Sequence, residues 1–598
     1  MKVKDRVSLT DFLMYHKETY PISFHMPGHK GRSTLYGIYG FGDFIKNVIG
    51  NDITEIPGAD ALQQPRERIK DMMDSYAGLY GAKHTELLVN GSSAGLMAAI
   101  LGTVPRGEKL LMGRNSHRSV YGALRLGGIN PVYIIPEIDD ETGLQLGLDP
   151  EKIEEALIED PEIKAVLVTS PNYYGVLSDI ERIANIVHLH GRILIVDQAH
   201  GAHLKFFDYL RSEDGLPHRA AENCGADIVV DSTHKTLLSF TGSAILNICT
   251  ERPDVSRISE LLRMLQTTSP SYLLMGSLDI NQQILRMDGY NLIKNWDRDI
   301  KYFYQEAARI DGLGLIDRID LDETKVNITM SALGLGGSEL VEELEKRNIW
   351  VELTHGDYVM LMTGIGNERG DYEDILAVLR DLSAQYRGRI TAAEKAAREV
   401  QNQTSESATE LKSVSSNPKS DSNRMQAAQN EPKSSSKRTE AAQIELKSGS
   451  NRMETAQNGP KSDSNNMETA QSEPKSSSNR TETVESRLES ASDSTDSVAE
   501  PAAHATPASD SALTERLEQR GIPDTYEEIP LYNSEGRVLY ESIIPYPPGS
   551  PIACPGEVLN KSVILYIRDQ LVAQHVVLGV DEEGRVKVEP KCVLLKEV

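Results

Sequence analysis

Short apolar runs alternate with helix-like stretches between residues 75 and 246. Each run has four or five residues, and Gly, Pro, Asn or Asp flanks most of them. Alternation of this kind predicts a mostly parallel β-sheet covered by α-helices. The predicted strands are residues 86–90, 109–112, 132–135, 165–169, 193–197 and 227–231. Because ligands of such sheets bind outside the carboxyl ends of the strands, polar residues that follow an apolar run are the candidates for function.

The composition divides the chain into further segments. We predict an N-terminal arm at 1–50, a large domain at 51–295, a small α/β domain at 296–395 and a C-terminal α+β domain at 516–598. The last of these should contain a helix at 561–570 and a hairpin at 576–588. Residues 396–515 carry a 14-residue repeat, with copies beginning at Pro418 and Pro432, and no aromatic residue. Such a segment cannot bury enough apolar surface to offset its ordering entropy, which predicts a disordered linker.

Charge and cysteine content exclude several classes of protein. The formal net charge of −26 argues against broad binding of nucleic acid. No apolar run is long enough to predict a membrane span, and the first residues do not resemble a secretory signal. The four cysteines form no CxxC pair, so neither a metal site nor a disulfide framework is predicted. These features favour a cytoplasmic protein.

Lys235 follows the predicted strand at 227–231 within the segment Asp231-Ser-Thr-His-Lys235-Thr. A desolvated lysine has a lowered pKa and can attack a carbonyl group. Ser232, with the Thr241-Gly-Ser243 segment beyond it, offers hydroxyl and amide groups that suit a phosphate. A solvated surface lysine is the alternative interpretation.

Two more polar residues follow predicted strands. Asp197 ends the strand at 193–197, where a carboxylate is either a ligand contact or a cap of the next turn. His117 comes shortly after the strand at 109–112, where its ring could stack on an aromatic ligand or be purely structural.

The segment Leu88-Val-Asn-Gly91-Ser-Ser93 indicates a strand that enters a Gly/Ser turn and then a helix. Amides at a helix N-terminus and two hydroxyl groups can bind an anion. Ordinary helix capping by Ser92 or Ser93 is the alternative. The segment is not a P-loop, because no Gly-Lys-Ser or Gly-Lys-Thr follows.

Together these elements resemble the large domain of fold-type I enzymes that use pyridoxal 5'-phosphate (PLP), which have the aspartate aminotransferase fold. More narrowly, the chain resembles the ornithine/lysine/arginine decarboxylase family, in its compact form without an amino-terminal wing domain. The resemblance covers residues 5–395 and 526–598. It is carried by Phe24-His-Met-Pro-Gly-His-Lys30-Gly, Asp52-Ile-Thr-Glu-Ile-Pro-Gly58, Asn90-Gly-Ser-Ser93, Ser232-Thr-His-Lys-Thr236, Thr268-Ser-Pro-Ser-Tyr272, Pro545-Tyr-Pro-Pro-Gly549 and Pro555-Gly-Glu557.

The resemblance implies a role for each candidate residue. Lys235 would bind PLP as a Schiff base, and Asp197 would pair with the pyridine nitrogen, which keeps the ring an electron sink. His117 would stack on one face of the ring and Ala199 on the other. The phosphate would be bound by Ser92, Ser93, Ser232 and His234, with Thr241 or Ser243 reaching the phosphate of a neighbouring subunit. His234 would also protonate the product, and Glu557 would edge the substrate cleft.

The implied reaction is decarboxylation of a basic amino acid in polyamine biosynthesis. Arginine is the first choice of substrate, followed by lysine or ornithine, and the product would be agmatine or a diamine with CO2. The implied assembly is a homodimer or larger homo-oligomer with the site at the subunit interface. Another fold-type I reaction, such as aminotransfer or β-elimination, is one alternative. A non-enzymatic scaffold that binds partners through the repeat linker is the other.

Overall fold

A computed structural model describes residues 8–388, 517–523, 525–546, 551–572 and 576–590. These residues all belong to one compact unit. The predicted disordered linker at 396–515 lies outside them. In the described ranges, no helix combines the length and apolar character that a membrane crossing needs.

The N-terminal arm packs against the small domain through strand pairing. It contains helix α1 (Leu9–Glu18), strand β1 (Ile22–Phe24) and helices α2 (Ser33–Ile38), α3 (Gly42–Lys46) and α4 (Val48–Asn51). Helix α1 begins after Ser8, whose hydroxyl accepts a hydrogen bond from the Asp11 amide at 3.1 Å, as is typical of an N-cap. Strand β1 pairs in parallel with residues 349–351.

A seven-stranded sheet forms the centre of the large domain. Its strands are β2 (His84–Leu88), β3 (Lys109–Gly113), β4 (Asn130–Ile134), β5 (Ile163–Thr169), β6 (Ile193–Asp197), β7 (Ile228–Asp231) and β8 (Ala244–Ile248). The spatial order is β2-β8-β7-β6-β5-β3-β4. Strand β8 runs antiparallel to both of its neighbours, and all other pairs are parallel. The predicted mostly parallel sheet is therefore confirmed, although β8 itself was not among the predicted strands.

Helices cover both faces of this sheet. They are α5 (Arg68–Tyr80), α6 (Gly91–Thr103), α7 (Arg118–Gly127), α8 (Pro150–Glu159), α9 (Ile180–Leu189), α10 (Leu204–Glu213), α11 (Thr233–Thr236), α12 (Val255–Leu265) and α13 (Tyr272–Ala307). Alternate residues of one strand enter opposite cores: Leu167 packs below α6 and α7, and Val168 packs against α8 and α9. Burial on both faces explains why the strands are continuously apolar in sequence.

The small domain has an antiparallel sheet with the order β12-β13-β10-β9. Its elements are β9 (Gly314–Leu315), β10 (Lys325–Thr329), α14 (Gly337–Glu345), β11 (Ile349–Val351), β12 (Leu353–His355), β13 (Tyr358–Met362) and α15 (369–388). Helix α13 enters this domain from the large one, across the boundary predicted between residues 295 and 296.

The C-terminal domain has its own apolar core around Leu539, Val563 and Ile567. Its elements are β14 (Glu527–Pro530), β15 (Ile544–Tyr546), α16 (Lys561–Val572), β16 (Val576–Leu578) and β17 (Arg585–Val588). The predicted hairpin at 576–588 is wrong, because β16 pairs with β15 and β17 pairs with β14. Both strands are real, but their partners come from earlier in the chain.

Candidate active site

A cavity of about 300 Å³ lies at the carboxyl ends of the parallel strands. Nine of the eleven residues singled out in the sequence line it: Ser92, Ser93, His117, Asp197, Ala199, Ser232, His234, Lys235 and Thr241. Because β8 is antiparallel, its beginning lies at this same edge, and the turn before it delivers Thr241. The strand ends therefore bring together residues that are up to 149 positions apart.

Lys235 lies in the single helical turn α11, which directly follows β7. Its side chain is half-buried and faces the cavity, so it is not a solvated surface lysine. Burial lowers the pKa of Lys235 to about 8, although the nearby carboxylates of Asp197 and Glu352 act in the opposite direction. Roughly a tenth of the amine is therefore in the neutral, nucleophilic form at pH 7, far more than for an ordinary lysine.

Asp197 lies at the last position of β6 and is buried. One of its carboxylate oxygens accepts a hydrogen bond from the Ala199 amide at 3.2 Å. Burial raises the pKa of Asp197, and the charge of Lys235 partly offsets this effect. The ends of β6 and β7 thus present a desolvated carboxyl group and a desolvated amine to the same cavity.

Two of the three histidines that line the cavity, His117 and His234, are neutral rings with different tautomers. Burial lowers the pKa of His117 to about 3 and that of His234 to about 4. The Nδ1 atom of His117 accepts from the Ser119 amide at 3.2 Å, so its proton lies on Nε2. The Nδ1 atom of His234 donates to the Ser243 carbonyl at 2.6 Å, so its Nε2 atom carries a lone pair. His234 can therefore donate from Nε2 only after it takes up a second proton.

The amino end of α6 forms one wall of the cavity, with Ser92 and Ser93 in its first turn. Gly91, whose φ of 71° is in the left-handed region, turns the chain from β2 into this helix. Its amide donates to the Gly242 carbonyl at 2.8 Å and so ties the helix start to the turn before β8. The first turn of α6 and the Ser232 hydroxyl line the same cavity, and amides and hydroxyls brought together in this way can bind an anion.

Three buried polar atoms around the cavity have no hydrogen-bond partner within the described residues. They are Thr169 Oγ1, His200 Nδ1 and Ser232 Oγ. Buried polar atoms in folded proteins are nearly always paired. Three unpaired atoms around one cavity therefore fit a polar ligand that supplies the missing partners.

Two residues singled out in the sequence do not line the cavity. The Ser243 hydroxyl is buried and donates to the Phe240 carbonyl at 2.6 Å. Glu557 is buried in the C-terminal domain and accepts hydrogen bonds from Arg114. Within this chain, Glu557 is a partner of another protein side chain and not part of the cavity wall.

Several other residues also line the cavity but were not predicted from the sequence: Met26, Asn115, Thr169, Pro171, Tyr173 and His200. Thr169 ends β5 and His200 comes three residues after β6. Both therefore satisfy the rule that polar residues at strand ends are candidates, and that rule alone would have found them. Met26 comes from the N-terminal arm, and no local pattern places it here.

Gly28 locks the N-terminal arm against the lysine-bearing turn. Its amide donates to the His234 carbonyl at 2.8 Å, and its carbonyl accepts from the Gly366 amide at 3.0 Å. A Cβ atom on Gly28 would lie 2.3 Å from the backbone carbon of Thr236, so only glycine fits. The arm is thus held between the turn that carries Lys235 and the small domain.

The strand order with one antiparallel strand, and a cavity with a facing lysine and aspartate, define the class of fold-type I enzymes. The lysine decarboxylase of Francisella novicida has this fold, with a TM-score of 0.62 and 16% identity over 98% of this chain and 84% of that one. Residues 7–322 match the major domain of the Orn/Lys/Arg decarboxylases, and residues 502–580 match the C-terminal domain of the same family. The chain belongs to the ornithine/lysine/arginine decarboxylase family.

Bacterial arginine decarboxylases are similar to this chain over most of their length. The enzyme of Bacillus cereus is 32% identical over 389 residues, which are 63% of this chain and 82% of that protein. The enzyme of Bacillus subtilis is 34% identical over 385 residues, which are 62% of this chain and 76% of that protein. The predicted family, fold class and decarboxylase activity are confirmed, and the family implies PLP as the cofactor.

Proposed function

We propose that the protein decarboxylates arginine to agmatine and CO2, with PLP bound in the cavity at Lys235. The observation that carries the proposal is the lysine–aspartate pair, which faces a cavity with three unpartnered polar atoms. The choice of arginine over lysine and ornithine is supported by the relatives named arginine decarboxylase, at 32% and 34% identity.

The residues around the cavity fit PLP group by group. Lys235 would hold the cofactor covalently through Nζ, and Asp197 would lie against the ring nitrogen. The flat imidazole of His117 and the small side chain of Ala199 suit the two faces of an aromatic ring. The amides and hydroxyls of Ser92 and Ser93, together with the unpartnered hydroxyl of Ser232, suit the phosphate.

Bound PLP supplies an electron-poor ring that accepts the electron pair left when CO2 departs. The side chains around the cavity would hold the protons that the reaction needs and keep water away from the reacting bond. Asp197, a buried carboxyl group, would hold a proton on the ring nitrogen of the bound cofactor. His234 would take up at Nε2 the solvent proton that the reaction consumes and transfer it to the carbon that has lost CO2. Burial of His117 and His234 keeps the surroundings of the reacting bond dry.

Product identification tests the proposal. The purified chain with added PLP is incubated separately with arginine, lysine and ornithine, and the products are identified by mass spectrometry. Agmatine with CO2, formed fastest from arginine, is the expected result. A 2-oxo acid would contradict decarboxylation, and a faster reaction with lysine or ornithine would contradict the substrate assignment.

Borohydride labelling tests the covalent site. Reduction in the presence of PLP should place the pyridoxyl group on Lys235, and Lys235→Ala should take up none. Lys83→Ala is the matched control, because Lys83 forms an exposed ion pair with Glu251 away from the cavity. A label on another lysine would contradict the proposal.

We also propose a homodimer in which the N-terminal arm faces a second copy. Large apolar side chains of the arm are exposed, including Leu9 at 72%, Ile38 at 76% and Ile49 at 88%. Exposure of several large apolar side chains within one segment favours an interface. A monomer in light scattering of the PLP-loaded protein would contradict it. The cytoplasmic location and the role in polyamine synthesis stay predictions.

A further inference from the structure

We infer that Glu557 is a positioning residue: by binding Arg114 it fixes the turn that carries His117, so the C-terminal domain shapes a cavity that none of its described residues lines. The inference rests on the proposed function only where it concerns cofactor affinity. The positioning itself is a property of this chain's own residues, and it can be measured without cofactor.

The pair between Arg114 and Glu557 is bidentate. Arg114 Nε donates to Glu557 Oε1 at 2.9 Å, and Nη2 donates to Oε2 at 2.7 Å. The side chains are 13% and 4% exposed, so water competes little with these bonds. The guanidinium also donates to the carbonyls of Pro551 and Ile552 at 2.9 and 3.2 Å. A single loop of the C-terminal domain therefore accepts four hydrogen bonds from the five N–H groups of Arg114.

Glu557 in turn organises its own loop. Its Oε2 atom accepts from the Cys554 amide at 2.8 Å, and Cys554 is fully buried within the apolar core of the large domain. The loop at 551–557 is thus inserted into the large domain beside Tyr121. A glutamine at position 557 could still accept from the Cys554 amide, but it could not form the charged bidentate pair.

Arg114 links this loop to the cavity through a short turn. It directly follows β3, and its carbonyl accepts from the Tyr121 hydroxyl at 2.6 Å. The next residue, Asn115, lines the cavity, and His117 lines it at the start of α7. One end of the turn at 114–117 is therefore fixed by the C-terminal domain, and the other end presents the imidazole.

A simple docking contact is the competing explanation, and the chain offers a matched control for it. The Arg125 guanidinium lies 4.0 Å from the centre of the Tyr540 ring. This contact also joins α7 to the C-terminal domain, but neither residue lines the cavity. If Glu557 only docks the domain, loss of either contact should have the same consequences.

The test compares Glu557→Gln with Tyr540→Leu in the full-length chain. Hydrogen–deuterium exchange of residues 114–119 is measured first without cofactor. We expect faster exchange in Glu557→Gln and wild-type exchange in Tyr540→Leu. Equal exchange of this segment in both variants would overturn the inference, whether or not the protein binds PLP.

The second readout is the dissociation constant of PLP, followed by its visible absorbance. Glu557→Gln should weaken PLP binding about tenfold or more, by analogy with the loss of metal affinity when a residue that orients a metal ligand is removed. Tyr540→Leu should lower the unfolding temperature without this change. A higher KM for arginine with unchanged PLP affinity would instead place Glu557 at the substrate and overturn the inference. If Glu557→Gln does not fold, Arg114→Gln/Glu557→Gln leaves no unpaired buried charge and gives the same two readouts.

Discussion

Two polar clusters meet at the ends of strands β6 and β7, where consecutive residues belong to different clusters. The cavity cluster consists of Thr169, Asp197, His200, Ser232 and Lys235. The rear cluster consists of Gln198, Glu222, Asp231 and Asn247. Asp197 and Ser232 belong to the cavity cluster, whereas their chain neighbours Gln198 and Asp231 belong to the rear cluster. Neighbouring residues of an extended chain point to opposite sides, so one strand end supplies both.

The clusters differ in how completely their hydrogen bonds are made. In the rear cluster, the side-chain amide of Gln198 donates to the carboxyl groups of Glu222 and Asp231, each at 3.0 Å. The Asn247 amide donates to the same two groups at 3.0 and 3.1 Å. The cavity cluster, by contrast, holds three unpaired atoms. Complete pairing suits a group that holds the fold, and incomplete pairing suits a group that awaits a ligand.

The largest effect should follow loss of the amine in the cavity cluster. Lys235→Ala should reduce kcat for decarboxylation by on the order of a thousandfold or more, since the covalent anchor of the cofactor is lost. Its unfolding temperature without PLP should stay close to that of the wild type. Turnover is measured as CO2 release. Near-normal turnover would break the assignment of the cavity cluster to chemistry.

The next largest effect concerns the carboxylate of the same cluster. Asp197→Asn should lower kcat by about a hundredfold or more, because a neutral amide cannot stabilise the ring proton. The variant should still be labelled by PLP and borohydride at Lys235, which separates binding from chemistry. An unchanged kcat would mean that Asp197, like the rear cluster, serves the fold and not the reaction.

A substitution in the rear cluster should change the free energy of unfolding. Burial raises the pKa of Asp231 well above its usual range, and the adjacent Glu222 adds to this effect, so the folded protein keeps a proton there. That contribution is fully present below pH ~4 and is lost as the pH rises through the folded-state pKa. Asp231→Asn cannot titrate, so its stability should fall less toward alkaline pH.

Near neutral pH, Asp231→Asn should cost about 1–3 kcal/mol. One of the two oxygens that accept from Gln198 and Asn247 is replaced by an NH2 group, which faces a donor and leaves it without an acceptor. Denaturant unfolding from pH 5 to 9 measures both effects. A large loss of kcat with an unchanged unfolding curve would contradict the division between the clusters.

The smallest effect is the pH dependence of cofactor attachment. The pKa of Lys235 is lowered to about 8, so the neutral amine increases about fivefold between pH 7 and pH 8 and then levels off. The rate at which PLP attaches to the cofactor-free chain should follow this curve. A rate that keeps rising up to pH 10 would indicate a lysine exposed to water.

The sequence predicted the parallel part of the sheet because its strands are apolar on both faces. It did not predict β8, whose Thr241-Gly-Ser243 lead-in was interpreted only as a phosphate contact. The C-terminal hairpin failed because short strands carry no information about their distant partners. The rule that polar residues at strand ends are functional candidates identified Asp197. The direction in which each of these side chains points could not be predicted.

Ser243 and Glu557 illustrate that limit. Ser243 adjoins the cavity-lining pair Thr241 and Gly242, but its hydroxyl faces Phe240. Glu557 lies in a motif of the family, yet its partner is Arg114, 443 positions earlier. Chain proximity and motif membership locate a residue in the fold, whereas its contacts depend on packing between segments distant in sequence.

The backbone around Gly28 has a consequence for synthesis of the protein. The arm at Gly28 hydrogen-bonds to the lysine turn, and the Ile365 and Gly366 amides close the same junction from the small domain. When Lys235 has just emerged from the ribosome, the small-domain segment at 365–366 has not yet been synthesised. The amine therefore reaches its native setting only after the small domain has been translated, which delays formation of a reactive lysine until the surrounding walls exist.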